Sequence, residues 1–235
     1  MVTAIRKGFT LVELLIVITI LVILGIFVVL LINPAEILAK SRDSQRISDL
    51  ATMKGAMQLF LTDSTPTLSN CVTTTPIPET PLTTADRVKV HASTDQAPNN
   101  DGAGSNIEYT VVTTSSAARK ANTGGGWINV DFSSVASGAP IESLPTDPKE
   151  DLTNATDIQS GWYYRFACKN NDGKYEYEFD AGLESGTWGP AATGAGNKGA
   201  NDGGDANSGG TTAQYVRYEV GNNLIILPTT ASITP

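Results

Sequence analysis

Residues 7–32 read KGFTLVELLIVITILVILGIFVVLLI, and this stretch decides the first part of the fold. From Leu14 to Ile32 it contains no charged side chain. At about 1.5 Å of rise per residue, a helix of this length roughly matches the ~30 Å hydrocarbon core of a bilayer. The sequence therefore predicts a hydrophobic helix over residues 9–33 that can span a membrane.

Two basic residues, Arg6 and Lys7, stand just before the apolar segment. The positive-inside rule would keep the N-terminus cytoplasmic and send the chain after the segment outward. The apolar run is longer than that of an ordinary secretory signal, and Asn33 and Pro34 follow it instead of a small-residue cleavage site. We therefore expect the segment to stay in the mature protein, with a cut before it at Gly8.

One carboxylate, Glu13, interrupts the apolar segment. A charge in the membrane costs on the order of 2.5 to 3.5 kcal/mol on insertion scales, so Glu13 should have a partner. Cleavage after Gly8 would create one, the α-ammonium of Phe9 on the same chain or on a neighbour. Between subunits, such a pair can set the axial register of apolar helices. A Glu13 that snorkels to the interface or is protonated is the alternative.

The twelve residues KGFTLVELLIVI from Lys7 resemble the class III leader of type IV pilins and type II secretion pseudopilins. The resemblance implies that prepilin peptidase cuts between Gly8 and Phe9, which makes residues 1–8 a leader peptide. It also implies methylation of the Phe9 amine and a requirement for Glu13 in assembly. The implied partners are prepilin peptidase, an inner-membrane assembly machinery, the membrane before assembly, and further copies that form a homopolymer through their N-terminal helices.

Residues 34–61 predict an amphipathic continuation of the helix. Its charged side chains alternate in sign, and Arg46 and Asp49 stand at a helical pair spacing. Apolar residues recur at three- and four-residue steps and form one stripe: Ile47, Leu50, Met53, Met57, and Phe60 or Leu61. Pro34 should kink or locally open the helix. Pilins resemble this in having a helix that loosens on assembly, and a simple kink at the membrane surface is the alternative.

The remaining chain, residues 62–235, is here called the head. Its clearest signal is a hairpin of two strand-like runs, 162–168 and 174–179, joined at 170–173. In the second run Tyr175, Tyr177 and Phe179 alternate with Glu176 and Glu178, which predicts one buried face of the sheet.

Further strand signals lie at 107–112 and 127–132, and a second hairpin is predicted from 215–220 and 224–227. Long loops rich in Thr, Ser and Pro or in Gly, Asn and Ala separate these elements. The fold class is thus α+β, with a long N-terminal helix, part transmembrane and part amphipathic, packed on a C-terminal antiparallel sheet. Residues 144–148, which read LPTDP, resemble the connecting region of type II secretion pseudopilins.

The two cysteines, Cys71 and Cys168, lie far apart and outside any CxxC pattern, which disfavours a metal or thioredoxin-type site. If the head is exported, an oxidising compartment favours a disulfide between them. Two separate buried thiols are the alternative.

Other candidate sites are weak. Asp202 and Asp205 offer only two carboxylates for calcium, and Asn154 begins a tripeptide that matches the N-glycan acceptor pattern. His91 is the only histidine and is expected at the surface. The sequence predicts no enzyme, cofactor, metal or small-molecule ligand. The net charge of −8 argues against nonspecific nucleic-acid binding, and no specific nucleic acid is predicted.

Three functions remain open from the sequence. The first is a structural subunit of a type IV pilus, serving adhesion, motility or DNA uptake, and the second is a pseudopilin of a secretion system. In both, the chain is a single-pass membrane protein with its head outside the cytoplasm, and later part of an extracellular pilus or a periplasmic pseudopilus. The third is an anchored exported protein that never polymerises, for which Glu13 is replaceable and Gly8 stays uncut.

Overall fold

The computed structural model describes residues 8–63, 68, 71, 88–94, 107–113, 115–149, 162–171, 173–189, 217–224 and 226–227. The chain divides into two compact units, an N-terminal unit of Met1–Ala39 and a C-terminal unit of Lys40–Pro235.

The N-terminal unit contains helix α1, Leu11–Ile32, and the start of helix α2, Pro34–Thr62. Helix α1 begins after Thr10, whose Oγ1 accepts the backbone N–H of Glu13 at 3.2 Å and so satisfies one of the free donors at the helix start. The helix ends at Asn33, which adopts a left-handed conformation with a φ of 44°. Asparagine tolerates this region, and Pro34 is well suited to begin the next helix. The interruption expected at Pro34 thus falls at the residue before it.

In the C-terminal unit, α2 buries the apolar stripe that the sequence predicts. Leu50, Met53, Met57 and Phe60 are 0–5% exposed, while Ile47 and Leu61 are half-buried. The four buried side chains form one core with aromatic residues of the sheet: Tyr164, Phe166, Tyr177 and Phe179. Burying each of the large apolar side chains contributes about 1.5 to 3 kcal/mol, so this face holds α2 on the sheet.

The sheet has five strands: β1 Val88–Ala92, β2 Ile107–Thr110, β3 Tyr164–Asn171, β4 Lys174–Gly182 and β5 Arg217–Gly221. Their order across the sheet is β2-β1-β3-β4-β5. The β3–β4 hairpin is confirmed, and its turn uses Gly173 at a positive φ of 86°. Four strands, β1, β3, β4 and β5, pair antiparallel, which confirms the α+β class.

Strand β2, by contrast, pairs parallel to β1 at the edge of the sheet. The sequence predicts β2 but not β1, and it predicts only antiparallel pairing. Parallel neighbours need a connection of about a dozen residues or more, and residues 93–106 separate the two strands.

The predicted second hairpin is wrong in its second half. Strand β5 forms and pairs with β4. Ile226 and Leu227 belong to no strand, because their backbone N–H groups donate to the side chain of Glu178 instead of to a neighbouring strand. The element expected over 127–132 is likewise no strand: an isolated bridge joins Thr123 to Asp131, and a short 3-10 helix, Phe132–Ser134, follows.

The sheet is also covered on both faces. Opposite α2, a second apolar cluster contains Val90, Ala92, Tyr163, Ala167, Ile226 and Leu227. The polar positions of β4 that alternate with its aromatic residues therefore lie partly inside the protein, and Glu178 is 0% exposed.

Candidate assembly segment and buried charge networks

The apolar surface of α1 is not buried against other parts of the chain. Over Leu11–Val29 the helix is long and apolar enough to cross a membrane, and none of this span is buried. Exposed apolar surface on this scale marks a segment that contacts lipid or other protein copies. In such surroundings a helix is suitable because it satisfies its backbone hydrogen bonds internally.

The predicted processing and assembly residues lie at the start of α1. Gly8 and Phe9 precede the helix, Phe9 is 75% exposed, and a Cβ added at Gly8 would meet nothing within 4 Å. Glu13 lies in the first turn, where a carboxylate is favoured by the helix dipole. Because Phe9 lies outside the helix, helical spacing does not fix its amine near Glu13 of the same chain. The roles of these residues in cleavage and assembly stay predictions.

Cys71 and Cys168 form a disulfide in the structure, across a sequence separation of 97 residues. Cys168 is a core residue of β3, and Cys71 is partly buried against the same core. The bond therefore ties residue 71 to the central part of the sheet.

Arg46 is the centre of a buried charge network on α2. It is 0% exposed, and its Nε and Nη2 donate to the two oxygens of Asp147 at 2.7 and 2.8 Å. Its Nη1 donates to Asp43 at 2.8 Å and to Glu184 at 2.9 Å. The guanidinium also lies 4.8 Å from the ring centroid of Trp162. Burial lowers the pKa of Arg46, but the carboxylates of Asp147 and Glu184 raise it above its usual value, so the side chain stays charged.

The carboxylates of this network fasten the segment after β4 to α2. Asp43 accepts the backbone N–H groups of Glu184 at 2.9 Å and Ser185 at 2.8 Å. Burial raises the pKa of Glu184, but hydrogen bonds from Arg42 and Arg46 bring it down to about 2. The network thus holds α2, Asp147 and the end of β4 together.

The expected ion pair between Arg46 and Asp49 does not form. Arg46 is drawn to the carboxylates that tertiary structure brings to it, and Asp49 accepts a hydrogen bond from the Tyr164 hydroxyl at 2.8 Å. The amphipathic pattern of α2 predicts that its charged residues face solvent, but Asp43 and Arg46 are both fully buried.

A second buried network lies on the far face of the sheet. Asp180 is 0% exposed and accepts hydrogen bonds from Arg165 on β3 and from Arg217 on β5. Next to it on β4, Glu178 accepts the backbone N–H groups of Ile226 and Leu227, both at 2.8 Å. Five charged residues on three strands therefore share this buried face: Arg165, Glu178, Asp180, Arg217 and Glu219.

The prediction that His91 lies at the surface is wrong. His91 is 2% exposed, sits opposite Phe166 in the pairing of β1 with β3, and its ring lies 5.8 Å from that of Phe166. Burial lowers the pKa of His91 to about 4, although a hydrogen bond with the backbone of Trp127 opposes the shift. The histidine is therefore neutral and structural. The alternation of Val88 and Val90 with Lys89 and His91 was the signal that would have placed it in a strand.

Two of the predicted candidate sites, the Asp202 and Asp205 loop and the tripeptide 154–156, lie outside the described residues. The segment 144–148, which resembles a pseudopilin connection, is described. Leu144 is 0% exposed, the Trp127 indole N–H donates to the Pro145 carbonyl at 2.9 Å, and Asp147 binds Arg46. This segment is thus an anchor between α2 and the sheet.

Residues 4–29 match a protein family described as the prokaryotic N-terminal methylation motif. No curated protein and no solved structure matches the chain. The motif is that of a class III prepilin leader, and it points to a structural protein. It also suggests processing by prepilin peptidase and assembly by a pilus machinery. With the apolar span of α1 at 11–29, it fits a membrane-anchored, exported protein. The leader motif, the exposed apolar helix and the α+β arrangement together fit a type IV pilin or pseudopilin.

Proposed function

We propose that this chain is a structural subunit of a type IV pilus-like filament, serving adhesion, motility or DNA uptake, and polymerised through α1. The observation that carries the proposal is the methylation motif at 4–29, which coincides with a helix that buries none of its apolar span within the chain. Outside the membrane, further copies of α1 are the surface that can cover such a helix.

Processing prepares the subunit for assembly. Prepilin peptidase hydrolyses the peptide bond between Gly8 and Phe9 and removes residues 1–8, and the new amine of Phe9 is then methylated. The exposed position of Gly8 and Phe9 before the helix supports access by the peptidase. Residues 9–33 then act as the membrane and assembly helix, residues 34–61 as its amphipathic continuation, and residues 62–235 as the head.

Glu13 sets the register between subunits. Apolar helices packed side by side can slide along one another, whereas a buried ion pair fixes one axial position. The Phe9 amine of a neighbouring subunit is the partner, because Phe9 lies before the helix and helical spacing does not hold its amine near Glu13 of the same chain. Methylation leaves this amine able to carry a positive charge, so the pair survives processing.

The disulfide supports an exported head. Disulfides persist in oxidising compartments outside the cytoplasm, and Cys71 and Cys168 are bonded. The head then moves from the outer side of the cell membrane to the filament surface. The head takes part in assembly and forms the outer surface of the filament, without catalysis or a cofactor.

A secretion pseudopilin is the second candidate. One observation favours it: residues 144–148, which resemble the pseudopilin connection, bind α2 through the ion pair of Asp147 with Arg46. The pseudopilin would use the same processing and the same helix packing in a short periplasmic filament. Gene neighbours that encode a secretin and a secretion ATPase, or a retraction machinery, discriminate between the two.

The proposal is tested by expressing the full chain with prepilin peptidase in bacterial membranes and measuring its intact mass. Gly8→Val should leave residues 1–8 attached because the side chain blocks the peptidase. Gly25→Val is the matched control, since a Cβ at either glycine meets nothing within 4 Å. Cleavage of the control and wild type but not of Gly8→Val supports the proposal. Wild-type chain that stays uncut would instead indicate an anchored protein that never polymerises.

A further inference from the structure

Thr10 caps the N-terminal end of helix α1. It lies just before the helix in an extended conformation, with φ −84° and ψ 148°, and its side chain accepts the Glu13 N–H at 3.2 Å. Its carbonyl accepts the Leu14 N–H at 3.3 Å, so the helical ladder of backbone hydrogen bonds starts at Thr10. Threonine is one of the few residue types whose side chain can end a helix in this way.

The cap changes the partner of one backbone group. In an α-helix each N–H donates to the carbonyl four residues earlier, so a helix that ran on past Thr10 would pair the Glu13 N–H with the Phe9 carbonyl. The same extension would pair the Val12 N–H with the Gly8 carbonyl. The Thr10 hydroxyl instead accepts the Glu13 N–H, and Gly8 and Phe9 lie outside the helix.

Without the cap, the helix would extend toward the leader. Adding a residue to an existing helix is much easier than starting one, because each added residue gains a hydrogen bond. Close to lipid, a backbone N–H without a partner is costly, since no water replaces the lost bond. Extension would give the Glu13 N–H a new partner, whereas fraying would not. Gly8 would then stand at the cap position, where glycine is tolerated.

The Gly8 carbonyl is the group that hydrolysis attacks in the proposed processing reaction. Water adds to its carbon, the bond to the Phe9 nitrogen breaks, and that nitrogen takes up a proton to become the amine of the mature chain. A carbonyl within a helix is already hydrogen-bonded and is surrounded by the side chains of the next turn. A peptidase that binds an extended substrate through its main chain therefore needs residues 8 and 9 outside the helix.

We infer that Thr10 is a positioning residue for processing: by capping α1 through the Glu13 N–H, it keeps the bond between Gly8 and Phe9 in the extended chain before the helix. The inference rests on the proposed function, because it assigns a role in the cleavage which that function requires. The exposure of the bond agrees with it. Phe9 is 75% exposed, and a Cβ added at Gly8 would meet nothing within 4 Å.

A second threonine in α1 has a different hydrogen bond and serves as the control. The Thr19 hydroxyl donates to the Leu15 carbonyl at 2.7 Å, inside the helix. This bond does not replace any bond of the helical ladder. Thr19→Val therefore removes a hydroxyl from the same helix without changing where the helix begins.

The test is the rate at which prepilin peptidase in bacterial membranes removes residues 1–8 from the full chain, measured by intact mass. Thr10→Val keeps the shape of threonine but removes the cap, and it should be cut about fivefold more slowly than the wild type, the factor that a typical cap contributes. Thr10→Asn differs in shape but caps well, so it should be cut at nearly the wild-type rate, as should Thr19→Val.

The outcomes separate this inference from the proposed function. Thr10→Val cut as fast as the wild type, or Thr10→Asn cut as slowly as Thr10→Val, would overturn the inference alone. A wild-type chain that stays uncut would overturn the proposed function and the inference together.

A second measurement needs no peptidase and reports the conformation of the bond itself. In the uncut chain in detergent micelles, Thr10→Val should move the carbonyl ¹³C signals of Gly8 and Phe9 toward helical values. Thr10→Asn and Thr19→Val should leave both signals at their wild-type positions. Signals that do not move in Thr10→Val would overturn the inference, even if that variant is cut slowly, because the peptidase would then be recognising the side chain itself.

Discussion

Helix α1 and the part of α2 in the C-terminal unit differ in which side chains they bury. Helix α1 is apolar on every side and buries none of its Leu11–Val29 span within the chain. Residues 40–62 of α2 bury one apolar stripe and also the charged pair Asp43 and Arg46. The more hydrophobic helix is thus the more exposed one, while charged side chains occupy the interior.

In the proposed filament, this difference separates the residues that stabilise the folded subunit from the residues that assemble it. The C-terminal unit is stable through its own core, its disulfide and its ion-pair networks. Helix α1 contributes no such core, so its favourable burial arises only in lipid or among other copies. Changes in the C-terminal unit should therefore alter stability, and changes in α1 should alter membrane insertion or assembly.

The largest effect on stability is expected from the disulfide. Replacing Cys71 and Cys168 together by Ser should cost about 4 to 5 kcal/mol on the chain-entropy model, since the bond closes a loop of 97 residues. The measurement is the urea midpoint of the full chain in detergent, with and without reductant. The helical circular dichroism signal that α1 contributes should persist after the disulfide is reduced. A midpoint that reduction leaves unchanged would contradict this prediction.

The next effect is expected at Arg46. Arg46→Ala leaves the buried carboxylates Asp43 and Asp147 without their cation, which should cost about 3 to 5 kcal/mol. Arg42→Ala is the matched control: its side chain is 32% exposed and it also binds Glu184, so its loss should cost about 0 to 1 kcal/mol. Denaturant unfolding of both variants measures the difference. Equal small losses would show that the network is solvated in solution.

A smaller effect is expected from His91 in acid. Its native pKa of about 4 lies below the ordinary 6.5, so the unfolded state takes up a proton first and stability falls as the pH drops from 6.5 to 4. At about 1.4 kcal/mol per pKa unit, the loss is on the order of 3 kcal/mol.

His91→Phe should lower the slope of unfolding free energy against pH in this window by about one proton relative to the wild type. Glu184, with a pKa of about 2, loses its contribution as the pH falls from 4.5 toward 2, so it overlaps this window only between pH 4.5 and 4. An unchanged slope in His91→Phe would mean that the histidine is protonated and solvated in the native state.

The smallest effect on stability is expected in α1. Leu21, 62% exposed, should give a change in the unfolding free energy of the C-terminal unit within about 0.5 kcal/mol when replaced by Ala. Leu50→Ala, at a position that is 0% exposed, is the matched control and should cost about 2 to 5 kcal/mol. The yield of sheared filaments should show the reverse order per folded molecule. A large loss of stability from Leu21→Ala would contradict the division of roles.

The elements that the sequence predicts correctly are those whose signals are local. The uncharged run of α1, the stripe from Leu50 to Phe60, and the aromatic alternation of Tyr175, Tyr177 and Phe179 each specify one element and its buried side. The leader motif likewise lies in consecutive residues, so the family resemblance needs no knowledge of tertiary contacts.

Features that depend on tertiary contacts are not predictable in this way. Alternation along β4 places Glu178 opposite the aromatic face but gives no sign that residues 226–227 cover it. Arg46 binds Asp147 and Glu184, which lie far along the chain, so helical spacing alone suggests the wrong partner, Asp49. The parallel pairing of β2 is missed for the same reason, because it depends on a crossover and not on the residues of the strand.

The intact mass of subunits from sheared extracellular filaments tests the central claim most directly. We expect the chain in these filaments to begin at Phe9 and to carry one added methyl group. A chain in that fraction with residues 1–8 still attached would contradict it. So would a chain that stays in the membrane of a host with active prepilin peptidase and never enters a fibre.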